Sequence, residues 1–197
     1  YLSTVNLMLA TVIPNSNYHF AGWQDNNNPS APLLVPDLLT GARITVDQNE
    51  SYIAIFEGDS KTVHAYVKDG TGGSLTSSGN VNKDFPYGTS VNLNDAGPQA
   101  SAGYQFSGWE KYSGSQWIPV TYASGGYWIT VGDSNEYRAV FMPITYTVDY
   151  VVDGSQYGSS SIVGYPYIFN PTIPTRSNYT FHGWYKDPGY LTSVGSS

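Results

Sequence analysis

The chain has 197 residues, with 15 acidic and 8 basic side chains, a formal net charge of -7 and no cysteine. Without cysteine there is no disulfide framework, thiolate nucleophile or cysteine-based zinc site, and the scarcity of clustered Lys and Arg argues against nucleic-acid binding. The composition of 18 Tyr, 5 Trp, 21 Gly and 12 Pro favours aromatic strands joined by frequent turns. We therefore expect a mainly β protein, and no apolar run approaches the roughly 20 residues of a membrane span.

The first predicted elements surround an aromatic hexapeptide, Y-H-F-A-G-W, at residues 18–23. One strand is predicted ahead of it at residues 3–7, and two more follow at residues 44–46 and 52–56. Helical periodicity is not sustained beyond about ten residues anywhere in the sequence. We expect at most a short helical turn, near residues 36–41 or within residues 98–102.

The middle of the chain repeats this order of elements. The segment S-T-V-N-L at residues 3–7 resembles T-S-V-N-L at residues 89–93, and the hexapeptide returns as Y-Q-F-S-G-W at residues 104–109. Strands of a complete unit are predicted at residues 62–68, 88–93, 103–110, 128–131 and 136–142, separated by Gly- and Asp-rich turns.

A third copy begins after the middle unit. Residues 147–154 correspond to residues 63–70, and the hexapeptide recurs as Y-T-F-H-G-W at residues 179–184. The sequence thus predicts three units: 1–58, which lacks the first strand; 61–143, which is complete; and 145–197, which lacks the closing strand. Short linkers at residues 58–61 and 143–145 would set the angle between the units of an extended array.

Residues 174–188, P-T-R-S-N-Y-T-F-H-G-W-Y-K-D-P, resemble the signature of the internalin-type B-repeat family. The resemblance extends over nearly the whole chain, with the first two copies similar to the divergent form, in which Gln24 or Glu110 follows the Trp. It implies β-grasp-like units in tandem on a bacterial surface protein, with an extracellular, cell-surface or cell-wall location and no catalytic residues. The closing strands depart from the family pattern, since they end in Glu57-Gly58 and Met142-Pro143 where Lys-Trp is frequent.

The hexapeptides are the strongest motif, and we interpret them as core strands, with direct ligand contact as the alternative. In a regular strand the Trp would face away from the Tyr, Phe and Gly, unless the Gly marks a bulge that turns the Trp inward. The predicted core residues are Tyr18, Phe20, Gly22, Trp23, Tyr104, Phe106, Gly108, Trp109, Tyr179, Phe181, Gly183 and Trp184.

Catalytic, cofactor-binding and metal residues are not predicted, because no nucleophile, phosphate-loop or metalloprotease motif occurs. The three histidines, His19, His64 and His182, are interpreted as solvated surface residues. Two carboxylate pairs, Asp47 with Glu50 and Asp133 with Glu136, are interpreted as turn residues, with a weak calcium site as the alternative.

Aromatic residues that the copies do not share cannot be required by a common core, so the middle unit offers the best candidate ligand platform. Its predicted members are Trp117, Trp128, Tyr127, Tyr122 and Tyr112. Packing of the insertion or of a unit junction is the alternative explanation for them.

Taken together, these features predict a non-catalytic extracellular array that acts as a stalk or spacer and as an adhesive or protein-interaction module. Its partner would be a host or neighbouring-cell surface protein or a glycan. One alternative is a carbohydrate-binding module that uses the aromatic residues of the middle unit. Another is self-association into a filament, in which an incomplete end unit receives a strand from a neighbouring molecule.

Overall fold

The computed structural model describes residues 3–7, 11–36, 41–46, 48–163, 171–187, 189, 191 and 193–194. The described part is mainly β, as predicted, and its helical segments are the short 3-10 turns Lys68–Gly70, Ser78–Asn80 and Leu93–Ala96. The strands of the first 62 residues are β1 (Ser3–Asn6), β2 (Tyr18–Asp25), β3 (Arg43–Val46), β4 (Tyr52–Gly58) and β5 (Ser60–Thr62). The next strands are β6 (His64–Val67), β7 (Gly73–Leu75), β8 (Asp84–Pro86), β9 (Ser90–Asn92), β10 (Pro98–Ala100), β11 (Tyr104–Ser113), β12 (Gln116–Pro119), β13 (Trp128–Thr130) and β14 (Glu136–Pro143). The remaining strands are β15 (Thr145–Val152), β16 (Ser155–Val163), β17 (Trp184–Tyr185) and β18 (Ser193–Val194).

The first two hexapeptides pair with their following strands in the same register. In β2 and β4, Phe20 lies opposite Phe56 and Trp23 lies opposite Ala54. The equivalent partners in β11 and β14 are Phe106 with Phe141 and Trp109 with Ala139. The pairing of β1 with β3 likewise repeats in that of β9 with β13, where Val5 opposite Ile44 corresponds to Val91 opposite Ile129.

A bulge in each of the first two hexapeptides turns the Trp onto the same face as the Phe. The register shifts between Phe20 and Gly22 in β2 and between Phe106 and Gly108 in β11. The extra residue reverses the alternation, so the Phe and Trp rings meet edge to face at 5.5 Å in the first copy and 6.1 Å in the second. Gly108 lies at a φ of 140°, which residues with a side chain rarely adopt.

The middle unit is built on a four-stranded sheet in the order β12-β11-β14-β6, in which only β14 and β6 are parallel. One face of the sheet packs on a continuous core in which Trp109, Tyr137 and Leu93 are almost fully buried. Val63 and Val81 close this core from the segments around β6. Most of the burial that stabilises the described chain lies here.

The free edge of β6 is covered by a side chain. The Asn82 amide accepts a hydrogen bond from the Ala65 backbone N–H and donates one to the Ala65 carbonyl, at 2.9 Å. This pair of bonds imitates a neighbouring strand, and it satisfies two backbone groups that the end of the sheet would otherwise expose.

The third copy contains a hairpin of β15 and β16, and its turn residues Asp153 and Gly154 have φ values of 52° and 76°. The counterparts Asp69 and Gly70 adopt the same left-handed conformation, at 53° and 63°. The side chains of β15 nevertheless differ in direction from those of β6. Ala65 is buried, whereas its counterpart Asp149 is exposed.

The segment predicted as the first linker is part of the fold. Residues 60–62 form β5, which pairs antiparallel with β8 of the middle unit.

Two other expectations concern helical turns. The turn predicted within residues 98–102 is wrong, because Pro98–Ala100 is strand β10 paired with β7, and the alternative at residues 36–41 lies mostly outside the described residues.

Tyr137 yields a prediction about stability at high pH. Its side chain is fully buried, its hydroxyl has no hydrogen-bond partner in the described part of the chain, and burial raises its pKa from 10.0 to about 12. The unfolded chain therefore ionises this group first as the pH rises, and the folded state loses stability between about pH 10 and pH 12, by up to roughly 2–3 kcal/mol.

We expect Tyr137→Phe to remove this alkaline loss and to leave the protein at least as stable at neutral pH, because an unpaired buried hydroxyl is removed. The measurement is urea unfolding at about pH 8 and about pH 11. Tyr122→Phe, at an exposed tyrosine, is the control and should behave as the wild type does. An equal alkaline loss in Tyr137→Phe and wild type would contradict the assignment.

Candidate interaction surface

The five aromatic residues predicted as a ligand platform lie in two separate groups. Tyr112 and Trp117 face each other across the hairpin of β11 and β12, with ring centroids 5.1 Å apart. Tyr122 and Tyr127 pack together elsewhere, also at 5.1 Å. No ring contact joins the two groups or joins Trp128 to either of them within the described residues. Within the described residues, ring contacts therefore do not connect all five members of the predicted platform.

The first group continues across the outer face of the four-stranded sheet. Tyr66 on β6 contacts Trp117 edge to face at 6.0 Å, and the guanidinium of Arg138 on β14 lies 4.1 Å from the centre of the Trp117 ring. We refer to Tyr66, Tyr112, Trp117 and Arg138 as the outer aromatic cluster. All four strands of the sheet contribute to it, so the cluster ties the β12 edge to the β6 edge.

The charges of the outer aromatic cluster are paired. Arg138 donates to a Glu110 carboxylate oxygen through Nε and Nη2, each at 2.7 Å, and the two side chains keep only 17% and 23% exposure. Tyr66 donates its hydroxyl to Glu136 at 3.2 Å. Partial burial and the neighbouring Glu136 carboxylate raise the pKa of Tyr66. The cluster thus presents aromatic edges and the Glu136 carboxylate, while Arg138 and Glu110 neutralise each other.

The second group is anchored to the core. Tyr127 contacts Phe106 at 5.9 Å, and a side chain at Gly108 would lie 3.0 Å from the Tyr127 hydroxyl. Tyr122 covers Tyr127 and is 59% exposed, and Trp128 is 49% exposed on the short strand β13. Tyr127 is therefore mainly a packing residue, whereas Tyr122 and Trp128 offer open ring surface.

The predicted core residues differ in depth from copy to copy. Trp109 and Trp23 are buried, and Phe20 and Phe106 are half-buried beside them. The first residue of the motif does not enter the core in two copies, because Tyr18 is 36% exposed and Tyr179 is 67% exposed. Tyr179 instead lies against the Arg176 guanidinium at 4.2 Å.

In the third copy, Phe181 and Trp184 keep the edge-to-face contact, at 5.3 Å. Both are half-buried, and Trp184 also contacts Tyr150 at 5.4 Å. Gly183 has a φ of 132°, close to the values at Gly22 and Gly108. The local geometry of the motif is therefore present, and among the described residues its Trp is less deeply buried than Trp109 of the middle unit.

The predicted surface histidines are exposed, and His19 lies 3.1 Å from a carboxylate oxygen of Asp59.

The two members of the second predicted carboxylate pair have other partners. Asp133 lies 3.5 Å from Lys61, and Glu136 accepts a hydrogen bond from the Tyr66 hydroxyl. Asp47, and with it the predicted pair with Glu50, lies outside the described residues. No group of three or more His, Asp or Glu side chains in the described ranges could hold a metal ion.

Sequence reasoning missed Tyr66 on β6 and Arg138 on β14, the two members of the outer aromatic cluster that lie outside the β11–β12 hairpin.

It also missed an Asn–Gly contact that the first two units share, Asn6 with Gly41 and Asn92 with Gly126. A side chain on either Gly would meet the Asn amide at 2.6 Å, and the Asn92 oxygen accepts from the Tyr127 backbone N–H at 3.2 Å. The signal was available, since both residues recur at the repeat spacing.

Arg138→Lys should destabilise the middle unit by about 1–2 kcal/mol, because Lys has neither the planar stacking on Trp117 nor the second donor to Glu110. The measurement is thermal unfolding followed by near-ultraviolet circular dichroism. Arg176→Lys is a matched control, since Arg176 also pairs with a carboxylate, Asp153, and stacks on a tyrosine, but at 54% exposure. It should cost less than about 0.5 kcal/mol. Equal effects would contradict a stabilising role for the cluster.

None of the helices in the described ranges has the length and apolar character that crossing a membrane requires.

No curated protein and no solved structure matches the chain. Residues 146–196 match the family model of the Listeria-Bacteroides repeat domain. The match covers the third predicted unit, and it is not specific to the internalin type. The third unit therefore matches a repeat family of bacterial surface proteins, a family that is generally non-enzymatic.

Proposed function

We propose that the chain is a non-catalytic extracellular repeat array, which serves as a stalk or spacer and presents an adhesive or protein-interaction surface. The observation that carries this proposal is the recurrence of one strand register in the first two units. A register that repeats, with the same bulge, supports a series of like units more than it supports one composite active site. The family match of the third unit supports a surface location.

The turns before the hexapeptides support three related units. The residue ahead of each motif has a left-handed backbone, with φ values of 66° at Asn17, 79° at Gly103 and 64° at Asn178. The N–H of the following Tyr donates to the carbonyl three residues back in each copy, at 3.0–3.2 Å. Asn and Gly are the residues that most readily adopt this conformation.

The connections between units also share a contact. The Asp59 N–H donates to the Asn17 carbonyl at 2.8 Å, and the Ile144 N–H donates to the Gly103 carbonyl at 2.8 Å. Each bond joins the first residue after a closing strand to the turn ahead of the motif. This supports a defined direction for the chain as it leaves each unit, which a spacer requires.

The first junction is tightly packed. Tyr18 contacts Tyr87 edge to face at 5.6 Å, and the Tyr87 N–H donates to the Asp59 carbonyl at 2.9 Å. A side chain at Gly58 would lie 2.3 Å from the Tyr87 carbonyl oxygen. These contacts, together with the pairing of β5 with β8, favour a semi-rigid connection over a flexible one.

The spacer proposal predicts an extended particle with a stiff first junction. Small-angle scattering should give a radius of gyration well above the roughly 16–17 Å expected for one compact domain of this length. Gly58→Ala should loosen the junction without unfolding the units, because the new methyl group would collide with the Tyr87 backbone. Gly79→Ala is the control, since the place its new methyl group would take has no other part of the chain within 4 Å.

The change is measured as the distance distribution between spin labels on cysteines introduced at Ser30 and Ser113, which is straightforward in a chain without native cysteine. We expect a narrow distribution in the wild type and in Gly79→Ala, and a broader one in Gly58→Ala. A compact scattering profile, or an equally broad distribution in all three proteins, would count against the spacer.

Adhesion is the second part of the proposal, and the outer aromatic cluster is its best-supported surface. Tyr66 and Tyr112 are 41% and 36% exposed, and the Glu136 carboxylate lies beside Tyr66. Aromatic rings next to a carboxylate suit a partner with basic and apolar side chains. We propose a host or neighbouring-cell surface protein as the partner class, with a glycan as the alternative.

Carbohydrate binding is supported by a different observation, the open ring surface of Tyr122 and Trp128. Sugars stack on such faces, and each stacked ring contributes on the order of 1 kcal/mol or more. On this alternative, a glycan array probed with the whole chain identifies a ligand, and Trp128→Ala weakens its binding at least tenfold. Trp117→Ala, in the outer aromatic cluster, is the matched control and leaves it unchanged. Binding that survives Trp128→Ala would rule out a ring-stacking site at this residue.

A further inference from the structure

The chain crosses the middle unit through two strands that lie side by side. It enters from the first unit along β5 and β6, and it leaves along β14 towards β15. β6 and β14 are parallel neighbours, with His64 opposite Glu136 and Val67 opposite Ala139. The point where the chain enters and the point where it leaves therefore lie at opposite ends of one pair of strands.

This arrangement determines how the middle unit responds to a pull along the chain. Force applied on its two sides draws β6 towards residue 60 and β14 towards residue 144, which are opposite directions along one strand axis. The hydrogen bonds of a parallel pair are evenly spaced along the strands. Sliding loads these bonds together, whereas separating the same strands from one end breaks them one after another. The strand direction therefore favours resistance to a pull along the chain.

Side chains on both faces of the sheet oppose this sliding. On the inner face, Ala65 and Ala139 are buried in the same core, together with Val63 directly ahead of β6. On the outer face, Tyr66 donates its hydroxyl to Glu136 across the two strands at 3.2 Å. A slip of β6 by one residue would turn the exposed Tyr66 towards the core, where its hydroxyl would lose this partner.

The hold on β6 is reinforced where the chain enters the unit. Residues 60–62 pair with residues 84–86, and only Val63 separates β5 from β6. The Asn82 amide bonds to both backbone groups of Ala65. A pull on β6 must therefore break this pairing and both Asn82 bonds, together with the contacts to β14.

β14 is held more firmly than β6. It lies between β6 and β11, and it pairs with β11 over residues 104–111. Its pairing with β6 covers four residues, 136–139. Directly after β14, the Ile144 N–H donates to the Gly103 carbonyl at 2.8 Å. Under load, β6 is therefore the strand that moves first.

We propose that the middle unit is a load-bearing module, in which β6 and β14 form a shear clamp and the hold on β6 sets the force at which the unit opens. Such a clamp keeps the unit folded while attachments on its two sides are drawn apart. The use of the clamp rests on the proposed stalk and adhesive function, whereas its resistance to force depends only on the strands of the middle unit.

The test is single-molecule force spectroscopy of the whole chain, with handles linked to introduced cysteines because the chain has none of its own. Handles at Ser60→Cys and Thr145→Cys pull β6 and β14 lengthwise. Handles at Ser60→Cys and Ser134→Cys are the control, because they lie at the same end of both strands and peel them apart. At one pulling speed, we expect the lengthwise pull to need at least twice the force. The two proteins differ only in one attachment site.

Asn82→Ala tests which contacts set the opening force. It removes both bonds to Ala65 and should lower the lengthwise force by at least a quarter. Asn80→Ala is the matched control and should leave the force unchanged, since the Asn80 amide donates instead to the Asp95 carbonyl, at 3.1 Å.

Equal opening forces in the two pulling directions would overturn the clamp, and this comparison does not depend on how well Asn82→Ala folds. Equal losses in Asn82→Ala and Asn80→Ala would overturn the assignment of the opening force to the hold on β6. The spacer is tested separately by scattering, because a compact profile would count against the stalk and leave the measured difference between the two pulling directions unchanged.

Discussion

The edge-to-face contact between the Phe and the Trp of each hexapeptide is the interaction on which the rest of the structure depends. In the first two copies it exists because one residue is bulged out ahead of the Gly, which brings two aromatic side chains of one strand onto the same face. The contact recurs in all three copies at 5.3–6.1 Å. A chain without disulfides, and with short strands, obtains from it a large buried area at a fixed point of each unit.

What surrounds this contact decides how deep each core becomes. In the middle unit, β6 and the segments on either side of it add Val63, Ala65 and Val81, and Trp109 donates its indole N–H to Asn94 at 3.2 Å. In the first unit, Trp23 is also buried, but its indole N–H has no partner among the described residues. The same motif therefore supports a well-satisfied core in one copy and a less complete one in another.

Five strands of the middle unit were predictable because the repeat fixed the correspondence between copies, and the alternation of residues such as Tyr137, Ala139 and Phe141 identified the buried face. The short strands β7, β8, β10 and β12 were not predicted. The bulge could be posed only as a hypothesis, since sequence spacing does not reveal an unpaired residue. The outer aromatic cluster could not be predicted from the sequence, because Tyr66, Trp117 and Arg138 come from three strands whose order includes a parallel crossover.

The pairing of β5 with β8 was missed because a Gly-containing stretch between two repeats has the composition of a free linker. The opposite facing of Ala65 and Asp149 was missed because an equal offset in sequence does not guarantee equal side-chain direction.

The Asn82 amide that covers Ala65 has a consequence for crowding. Proteins that stand side by side at high density meet each other laterally, and an open sheet edge would let two molecules fuse into a continuous sheet. With the β6 edge occupied by a side chain of the same molecule, a neighbour finds two of its hydrogen-bonding positions already taken. The middle unit can therefore be displayed in dense layers with less risk that accidental sheet formation removes individual molecules from use.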